Sequence, residues 1–198
     1  MKEAIIIFVR NPELGKVKTR VAATVGDETA LDIYKQLLFH TMQVADKNGA
    51  DKFVFYHEQI EPDDIWNKKG FHKKLQSGSN LGEKMKNAFS FVFSEGYNKV
   101  IIIGSDCLQL TTAILNEAFA GLEQKDTVIG PARDGGYYLL GMKKMLPFLF
   151  ENKAWSTATV YGNTLLDMQS HHLSTSLLPL LTDVDTEADW VESKNSIT

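Results

Sequence analysis

Short apolar runs bounded by turn residues recur along the chain and predict buried β-strands. Residues 4–9 and 100–103 are wholly apolar, which is typical of strands covered on both faces of a sheet. Further strands are predicted at residues 52–56, 73–76, 126–132, 137–142 and 174–181. The run at 137–142 follows an Asp-Gly-Gly turn signal, so we expect it to pair antiparallel with the strand before it.

Between these strands, apolar residues recur at the spacing of an amphipathic helix. The predicted helices cover residues 27–48, 80–96, 111–122 and about 158–171. Asn80 and Thr111 are expected to cap two of them, and Glu83 stands where a capping box has its acidic residue. Thr186 and Asp189 have the same spacing and predict the start of a last helix.

The alternation of strands with helices predicts an α/β fold with a mostly parallel, doubly wound sheet. The 198 residues, of which 43% are hydrophobic, can build a full core, and we interpret residues 1–198 as a single domain. In such sheets ligands bind at the carboxyl ends of the strands. The residues that follow each strand are therefore the candidates for function.

The composition of the chain narrows the range of partners. The net charge of -4 at pH 7 argues against nucleic-acid binding, which needs a basic surface, but it allows a small phosphorylated ligand. The single cysteine excludes an internal disulfide and fits a reducing compartment. The run at residues 4–9 is too short for a membrane span and lacks a signal-peptide cleavage site. We therefore expect a cytoplasmic protein without a membrane partner.

The strongest candidate for chemistry follows the central strand. Residues 100–103 run into Gly104-Ser105-Asp106, which places a carboxylate after a sharp turn at the strand's carboxyl end. Carboxylate oxygens hold hard cations, and those cations hold phosphates. The sequence leaves an alternative open, in which Asp106 only accepts hydrogen bonds from nearby backbone amides.

A cationic loop follows the first strand. It contains Arg10, Lys16, Lys18 and Arg20, together with a proline and a glycine that prevent regular structure. Lysine and arginine side chains at a strand end can bind phosphate groups, although the spacing is not that of a Walker A loop. The alternative is a basic loop that is only solvated.

Further reactive side chains lie at other strand ends. Asp183 and Asp185 are two residues apart in an extended segment, so we expect them to point to the same side. Asp134 stands in the Asp-Gly-Gly turn, either as a catalytic base or simply as a turn residue. A nucleophilic role for Cys107 is disfavoured because no histidine is placed to activate it.

Taken in chain order, these motifs resemble a known family. They are residues 11–20, Leu81-Gly82-Glu83-Lys84-Met85, Gly104-Ser105-Asp106-Cys107, Gly130-Pro131-Ala132 with Asp134-Gly135-Gly136-Tyr137, Trp155-Ser156-Thr157 and Asp183-Val184-Asp185-Thr186. The set resembles a bacterial family of small glycosyltransferases in the nucleotide-diphospho-sugar transferase superfamily, some of them linked by name to arsenosugar biosynthesis. The chain is more distantly similar to 2-phospholactate guanylyltransferase and molybdenum-cofactor guanylyltransferase. The resemblance spans nearly the whole chain and implies the GT-A fold, a three-layer α/β/α sandwich.

The resemblance also implies roles for individual residues. The residues that would bind the nucleotide are Arg10, Lys16, Lys18, Arg20, Gln76, Asn80, Leu81 and Gly82. The ligands for Mg²⁺ or Mn²⁺ would be Asp106, Asp183 and Asp185, and the catalytic residues Asp134 and Asp106. The residues on the acceptor side would be Gly135, Gly136, Tyr137 and Trp155. The metal motif here is Ser-Asp-Cys rather than the Asp-x-Asp of many glycosyltransferases, which leaves the number and kind of metal ions open.

Two enzymatic activities fit these residues. The first is a metal-dependent glycosyltransferase that passes a sugar from a nucleoside-diphosphate sugar to a small acceptor. The second is a nucleotidyltransferase that moves a nucleoside monophosphate from a triphosphate to a phosphorylated small molecule, and the cationic loop favours it because a triphosphate needs more positive charge. A non-catalytic nucleotide-binding module is the third interpretation. The nucleobase, the acceptor and a homo-oligomeric state are not determined by the sequence.

Overall fold

The computed structural model describes residues 2–196, and a seven-stranded sheet forms its centre. The strands are β1 (Glu3–Val9), β2 (Asp51–Tyr56), β3 (Phe71–Leu75), β4 (Lys99–Ile103), β5 (Thr127–Pro131), β6 (Tyr137–Met142) and β7 (Thr175–Leu177). They lie in the order β3-β2-β1-β4-β6-β5-β7. Of the strands in this part of the chain, β6 alone runs antiparallel to its neighbours. The predicted doubly wound, mostly parallel sheet is confirmed.

The two wholly apolar strands, β1 and β4, lie in the middle of the sheet. Ile6 stands between Phe53 of β2 and Ile102 of β4 in the register of these parallel strands. Ile6 packs into the core on one face, whereas Ile5 and Ile7 pack into the core on the other. All three isoleucines of β1 are fully buried, because helices cover both faces.

Helices cover the sheet on both sides and complete a three-layer α/β/α sandwich. They are α1 (Thr19–Val25), α2 (Asp27–Asp46), α3 (Leu81–Ser94), α4 (Thr112–Gln124), α5 (Val160–Ser170) and α6 (Glu187–Ser196), with a short 3₁₀ helix at Pro147–Phe150. The helices α2 and α4 pack on one face, and α3, α5 and the 3₁₀ helix on the other. Within residues 2–196, none of the helices combines the length and the apolar character that crossing a membrane requires.

The helix starts show the capping chemistry that the sequence predicts. Asn80 Oδ1 accepts a hydrogen bond from the Glu83 amide at 3.0 Å, and the Glu83 carboxylate accepts one from the Ser79 amide at 2.8 Å. At the start of α4, Thr111 Oγ1 accepts from the Ile114 amide at 3.3 Å. These side chains satisfy amides that the first turn of a helix leaves without partners.

The structure differs from the predicted elements in three places. The pattern does not predict α1 or the 3₁₀ helix, because each is too short to show a helical period; α1 has seven residues and buries only Val21. The last strand, β7, has three residues instead of the predicted 174–181. Pro179 has no amide to donate, and Leu177 and Leu180 are exposed at the edge of the sheet.

Gly141 in β6 tests the packing at the centre of the sheet. A Cβ at this position would lie 2.6 Å from Ile101 Cγ2 and 2.7 Å from Val128 Cγ1. We expect Gly141→Ala to lower the free energy of unfolding by about 2 kcal/mol, because the neighbouring strands would have to move apart. Urea denaturation measures this change.

Gly162 in α5 provides the matched control. Nothing lies within 4 Å of a Cβ at this position. Gly162→Ala should leave the free energy of unfolding unchanged or raise it by about 0.5–1 kcal/mol, since alanine favours the helix. Equal stability of the two variants would contradict the packing of β6 between β4 and β5.

Candidate functional site

A cleft of about 790 Å³ opens where β1, β2 and β4 end. Its floor consists of strand exits, among them Arg10, Gln76, Ser105 and Asp106. We call the wall on the side of α1 and α2 the cationic wall; it contains Lys18, Arg20, Tyr34, Asp183 and Asp185. We call the wall on the side of α3 and α5 the aromatic wall; it contains Leu81, Met85, Tyr137, Trp155 and Thr157.

A hydrogen bond between distant segments holds Asp106 at the floor of the cleft. The backbone oxygen of Asp106 accepts from the amide of Val184 at 2.9 Å. The side chain of Val184 is fully buried in a small core that α1 and α2 share. Since Val184 points into this core, Asp183 and Asp185 on either side of it point the other way, and both line the cleft.

Lys18 lies among these carboxylates. Its Nζ is 2.9 Å from Asp106 Oδ2 and 4.0 Å from Asp185 Oδ1, and it donates a hydrogen bond of 2.7 Å to the Val184 backbone oxygen. The side chain is only 7% exposed, whereas that of Arg20, 3.3 Å from Asp185, is 76% exposed. The cationic loop and the acidic strand ends therefore meet at one place.

Asp183 is buried in a part of the cleft that disfavours the ionised form of its carboxyl group. Burial raises the pKa of Asp183 to about 7, and the charges of Asp106, Asp134 and Asp185 add to the increase while Lys18 opposes it. A carboxyl group with a raised pKa in a cleft is a candidate for binding a cation or a proton. Lys18 therefore balances only part of the negative charge.

Tyr34 of α2 joins the exits of β1 and β4. Its hydroxyl accepts from the Arg10 amide at 2.8 Å, donates to the Arg10 backbone oxygen at 3.1 Å and lies 3.5 Å from Ser105 Oγ. Burial, together with the charge of Asp106, raises the pKa of Tyr34 to about 12. The hydroxyl therefore stays protonated and fixes the backbone from which the Arg10 side chain extends.

Gln76 closes the cleft just after β3. Its side-chain amide donates to the backbone oxygens of Phe55 at 3.0 Å and Val9 at 3.4 Å, so the side-chain oxygen points the other way. That oxygen is 3.5 Å from His57 Nδ1, which in turn is 3.1 Å from Lys84 Nζ. This end of the cleft thus offers a ligand one fixed hydrogen-bond acceptor and neighbouring donors.

Two glycines support the aromatic wall. A Cβ at Gly82 would lie 2.3 Å from Trp155 Nε1, and a Cβ at Gly135 would lie 2.1 Å from the Ala158 backbone oxygen. Gly135 also has a φ of 88°, which favours glycine. The indole of Trp155 therefore rests on the first turn of α3, and the segment around Ala158 covers the Asp-Gly-Gly turn.

Asp134 is both a turn residue and a residue of the cleft. Its Oδ1 accepts from the Gly136 amide at 2.8 Å, which is the turn role. The same side chain lines the cleft beside Gly136 and Tyr137. The hydrogen bond orients the carboxylate at the rim, where a ligand can reach it.

The cleft brings together most of the residues that the sequence nominates. Those that line it are Arg10, Lys18, Arg20, Gln76, Leu81, Asp106, Asp134, Gly136, Tyr137, Trp155, Asp183 and Asp185. Asn80, Gly82 and Gly135 are not part of the lining: Asn80 caps α3, and the two glycines support the aromatic wall. Lys16 lies outside it, with its Nζ 2.6 Å from Glu13 and 3.8 Å from Glu58.

Among the polar residues of the cleft that sequence reasoning misses are Tyr34, His57 and Lys84. Tyr34 lies on the apolar face of α2, where the helical period does not distinguish it from a core tyrosine. His57 directly follows β2, so the rule that strand ends carry function could have found it. Lys84 has the pattern of a solvated helix position, and only its contact with His57 shows otherwise.

Cys107 does not have the properties of a nucleophile. The residue is buried, and burial followed by the charge of Asp183 raises the pKa of its thiol to about 12. A thiol with such a pKa stays protonated at neutral pH and reacts poorly. The structure therefore supports the interpretation that chemistry does not pass through Cys107.

The carboxylates of the cleft are the candidate ligands for a metal ion. Within residues 2–196, no group of three His, Cys, Asp or Glu side chains is arranged to hold a metal ion alone. Asp106 and Asp185 nevertheless both lie within 4.0 Å of the Lys18 ammonium. One or two carboxylates plus ligand phosphates are the usual environment of Mg²⁺ in proteins. The donor set therefore fits a divalent cation that arrives together with phosphates.

Comparison with known proteins identifies a matching family and a related protein of known structure. A family model described as "uncharacterized protein conserved in bacteria (DUF2064)" matches residues 40–157. A protein from Desulfovibrio desulfuricans G20 with a known crystal structure, provisionally described as a nucleotide-diphospho-sugar transferase, is 34% identical to this chain in sequence. The two structures have a TM-score of 0.87, and the match covers 94% of this chain and 84% of the other. Among curated proteins, no sequence matches this chain.

More distant structures share the fold alone. The manganese complex of Rv0371c from Mycobacterium tuberculosis H37Rv has a TM-score of 0.61 at 12% identity, over 99% of this chain and 100% of that one. The inositol-1-phosphate CTP transferase from T. maritima has a TM-score of 0.58 at 17% identity, over 100% of this chain and 96% of that one. Together with the D. desulfuricans structure, they confirm the fold of the nucleotide-diphospho-sugar transferase type.

Asp183 makes the stability of the fold depend on pH in a defined direction. Its pKa of about 7 in the folded chain lies above the value of about 3.9 for an unfolded aspartate. The group therefore contributes stability that is fully present below about pH 4 and is lost as the pH rises through about 7. We expect Asp183→Asn to raise the free energy of unfolding at about pH 8.5 by on the order of 1–3 kcal/mol, and to change it little at about pH 4.

Urea denaturation of both proteins at the two pH values measures this difference. Asp32→Asn is the matched control, because Asp32 lies on α2 with its side chain 72% exposed. The control should change stability equally at both pH values. If Asp183→Asn behaves like the control, the carboxylates of the cleft do not interact as described.

Proposed function

This chain belongs to the DUF2064 family of bacterial proteins, and we propose that it is a metal-dependent glycosyltransferase. In this proposal, the cleft binds a nucleoside-diphosphate sugar and transfers the sugar to the hydroxyl group of a small neutral acceptor. The 34% identical protein from D. desulfuricans, provisionally described as a nucleotide-diphospho-sugar transferase, supports an enzyme of this type.

The distribution of charge in the cleft is the observation that carries the proposal. Arg10, Lys18 and Arg20 stand at the exit of β1 and on the cationic wall. The described lining residues from Asp134 to Val160 bring a carboxylate and no lysine, arginine or histidine. A diphosphate therefore finds three of the cationic side chains of the cleft, those of Arg10, Lys18 and Arg20, on one side. An acceptor that carried a phosphate would meet Asp134 without a compensating cation, whereas a neutral hydroxyl would not.

The proposed reaction needs a base at the acceptor and positive charge at the leaving group. A bond forms between the acceptor oxygen and the anomeric carbon, while the bond from that carbon to the diphosphate oxygen breaks and its electron pair leaves with the diphosphate. Asp134, oriented by the Gly136 amide, takes the proton of the acceptor hydroxyl. Lys18 and Arg20 bind the departing diphosphate.

The metal is proposed on the carboxylates of the floor and the cationic wall. Asp106, with Asp183 and Asp185, would hold Mg²⁺ or Mn²⁺, whose role when bound is to neutralise the leaving diphosphate. The raised pKa of Asp183 supports this assignment, because a group of carboxylates that resists ionisation gains from an added cation. The fold neighbour Rv0371c was solved with manganese, which agrees with such a site.

The remaining residues of the cleft are proposed to position the two substrates. Gln76 and Leu81, with His57 and Lys84, would contact the nucleobase. Trp155 and Tyr137 would pack against the flat faces of the sugar or of the acceptor, since aromatic rings bury such surfaces.

Nucleotidyl transfer is the second candidate, and two observations favour it. Arg10, Lys18 and Arg20 would also suit a triphosphate, and the chain shares its fold with the inositol-1-phosphate CTP transferase. The positive charge is smaller than the sequence predicts, however, because Lys16 is paired with Glu13 outside the cleft.

A donor panel with Mg²⁺ or Mn²⁺ tests the two activities. We expect turnover of one nucleoside-diphosphate sugar with release of the nucleoside diphosphate, and no pyrophosphate from any nucleoside triphosphate. Asp134→Asn should lower kcat by about 10²–10⁴-fold and change the KM for the donor far less, because the base acts on the acceptor. Coupled assays for nucleoside diphosphate and for pyrophosphate measure both products.

Asp32→Asn is again the control and should keep the activity of the parent protein, since its exposed carboxylate lies on α2 away from the cleft lining. Pyrophosphate release from a triphosphate in the presence of a phosphorylated acceptor would establish the second candidate instead. Nucleotide binding without turnover of any donor would indicate that the protein is a non-catalytic nucleotide-binding module.

A further inference from the structure

The ammonium of Lys18 lies among the carboxylates of the floor and the cationic wall. It lies 2.9 Å from Asp106 Oδ2 and 4.0 Å from Asp185 Oδ1, and it donates to the Val184 backbone oxygen at 2.7 Å. With 7% of its side chain exposed, Lys18 is buried far more deeply than the neighbouring Arg20, at 76%. The lysine is thus built into the acidic site rather than extended over it.

We propose that Lys18 is a resident cation that keeps divalent metal off Asp106 and Asp185 until the phosphates of a nucleotide draw the ammonium away. Metal and nucleotide then bind cooperatively, and neither binds well alone. The cooperative part rests on the proposed function, since it requires a nucleotide in the cleft. The exclusion of metal by Lys18 requires only the geometry of the free chain.

Competition for the same oxygen atom is the first reason for this assignment. A bound Mg²⁺ approaches a carboxylate oxygen to about 2.1 Å. Asp106 Oδ2 already contacts the ammonium at 2.9 Å, so the two cations would be neighbours with strong mutual repulsion. The metal therefore gains its full interaction with Asp106 only after Lys18 has moved.

The supply of negative charge is the second reason. Asp106, Asp183 and Asp185 all line the cleft beside Lys18, whose ammonium lies 2.9 Å from Asp106 Oδ2 and 4.0 Å from Asp185 Oδ1. This part of the cleft therefore holds more carboxylates than its one buried cation can pair with. Removal of the lysine charge would remove the cation that competes with a metal ion for these carboxylates. The arrangement thus predicts that loss of Lys18 strengthens metal binding, the opposite of what loss of a metal-supporting residue would do.

The backbone allows the ammonium to move without a movement of the chain. Lys18 has a left-handed conformation, with φ 48° and ψ 43°, at the residue before α1. Val17 and Val21 on either side of it are buried and anchor the loop and the helix. The four-carbon side chain can therefore swing from Asp106 to a phosphate while its Cα stays in place.

Binding of Mn²⁺ to the chain without nucleotide tests the exclusion. Electron paramagnetic resonance counts free Mn²⁺ in a titration of the parent protein, Lys18→Gln and Lys18→Met. We expect both variants to bind Mn²⁺ about tenfold more tightly than the parent protein, or better. Lys18→Gln keeps a donor for the Val184 oxygen and Lys18→Met keeps the apolar stem, so the two variants lose different parts of the native packing.

Two controls separate charge from a general change in the loop. Lys16→Gln removes a lysine from the same loop but outside the cleft, and Lys18→Arg keeps the charge at the site. Both should bind Mn²⁺ as weakly as the parent protein does. Circular dichroism and the melting temperature confirm that each variant is folded.

The cooperative part is tested by the melting temperature with GDP, UDP or CDP, with Mn²⁺, and with both. In the parent protein we expect one of these nucleotides together with Mn²⁺ to raise the melting temperature by more than the sum of the increases that the nucleotide and Mn²⁺ each cause alone. In Lys18→Gln, we expect the increase with both ligands to equal that sum. Formation of metal–nucleotide complexes in solution is the same for both proteins and therefore cancels in the comparison.

The outcomes distinguish this inference from the proposed function. If neither neutral variant binds Mn²⁺ more tightly than the parent protein in the absence of nucleotide, the inference is overturned whatever the enzyme does. If the variants bind Mn²⁺ more tightly while no nucleotide sugar is turned over, the exclusion by Lys18 stands and the proposed function fails.

Discussion

The contact between Lys18 and Asp106 holds the site of this protein together, because it joins segments that are far apart in the chain. The same ammonium also binds the backbone oxygen of Val184, whose amide donates to the backbone oxygen of Asp106. These contacts hold together three segments of the chain, namely the cationic loop, the exit of the central strand and the acidic segment before α6. The buried side chain of Val184 then decides that its two acidic neighbours face the cleft.

The contact between these segments brings several carboxylates close together, and their mutual repulsion is unfavourable unless a ligand relieves it. Burial, together with the neighbouring carboxylates, raises the pKa of Asp183 to about 7, so the free chain loses stability as the pH increases through that value. Functional sites commonly retain such unfavourable arrangements because binding relieves them. In this cleft, phosphate groups and a divalent cation would relieve the repulsion together, since the phosphates attract Lys18 and the cation takes its place.

The two walls of the cleft differ in their chemistry. The cationic wall carries the buried lysine and the acidic segment, whereas the aromatic wall rests on close backbone approaches at Gly82 and Gly135. These glycines place Trp155 and the Asp-Gly-Gly turn opposite the charged side without adding positive charge there. The cleft therefore joins a side rich in charged groups to a side of flat apolar surface that also carries Asp134 and Lys84.

The sequence by itself determined the layers of the fold, since the apolar runs of β1 and β4 and the helical periods depend only on nearby residues. It also determined that Asp106 follows a buried strand and that Asp183 and Asp185 share a side. Only the tertiary structure decided that Lys18 enters the cleft while Lys16 pairs with Glu13, because both stand in one loop with the same charge. The choice depends on contacts with residues more than 80 positions away, such as those of Lys18 with Asp106 and Val184, which no local pattern encodes.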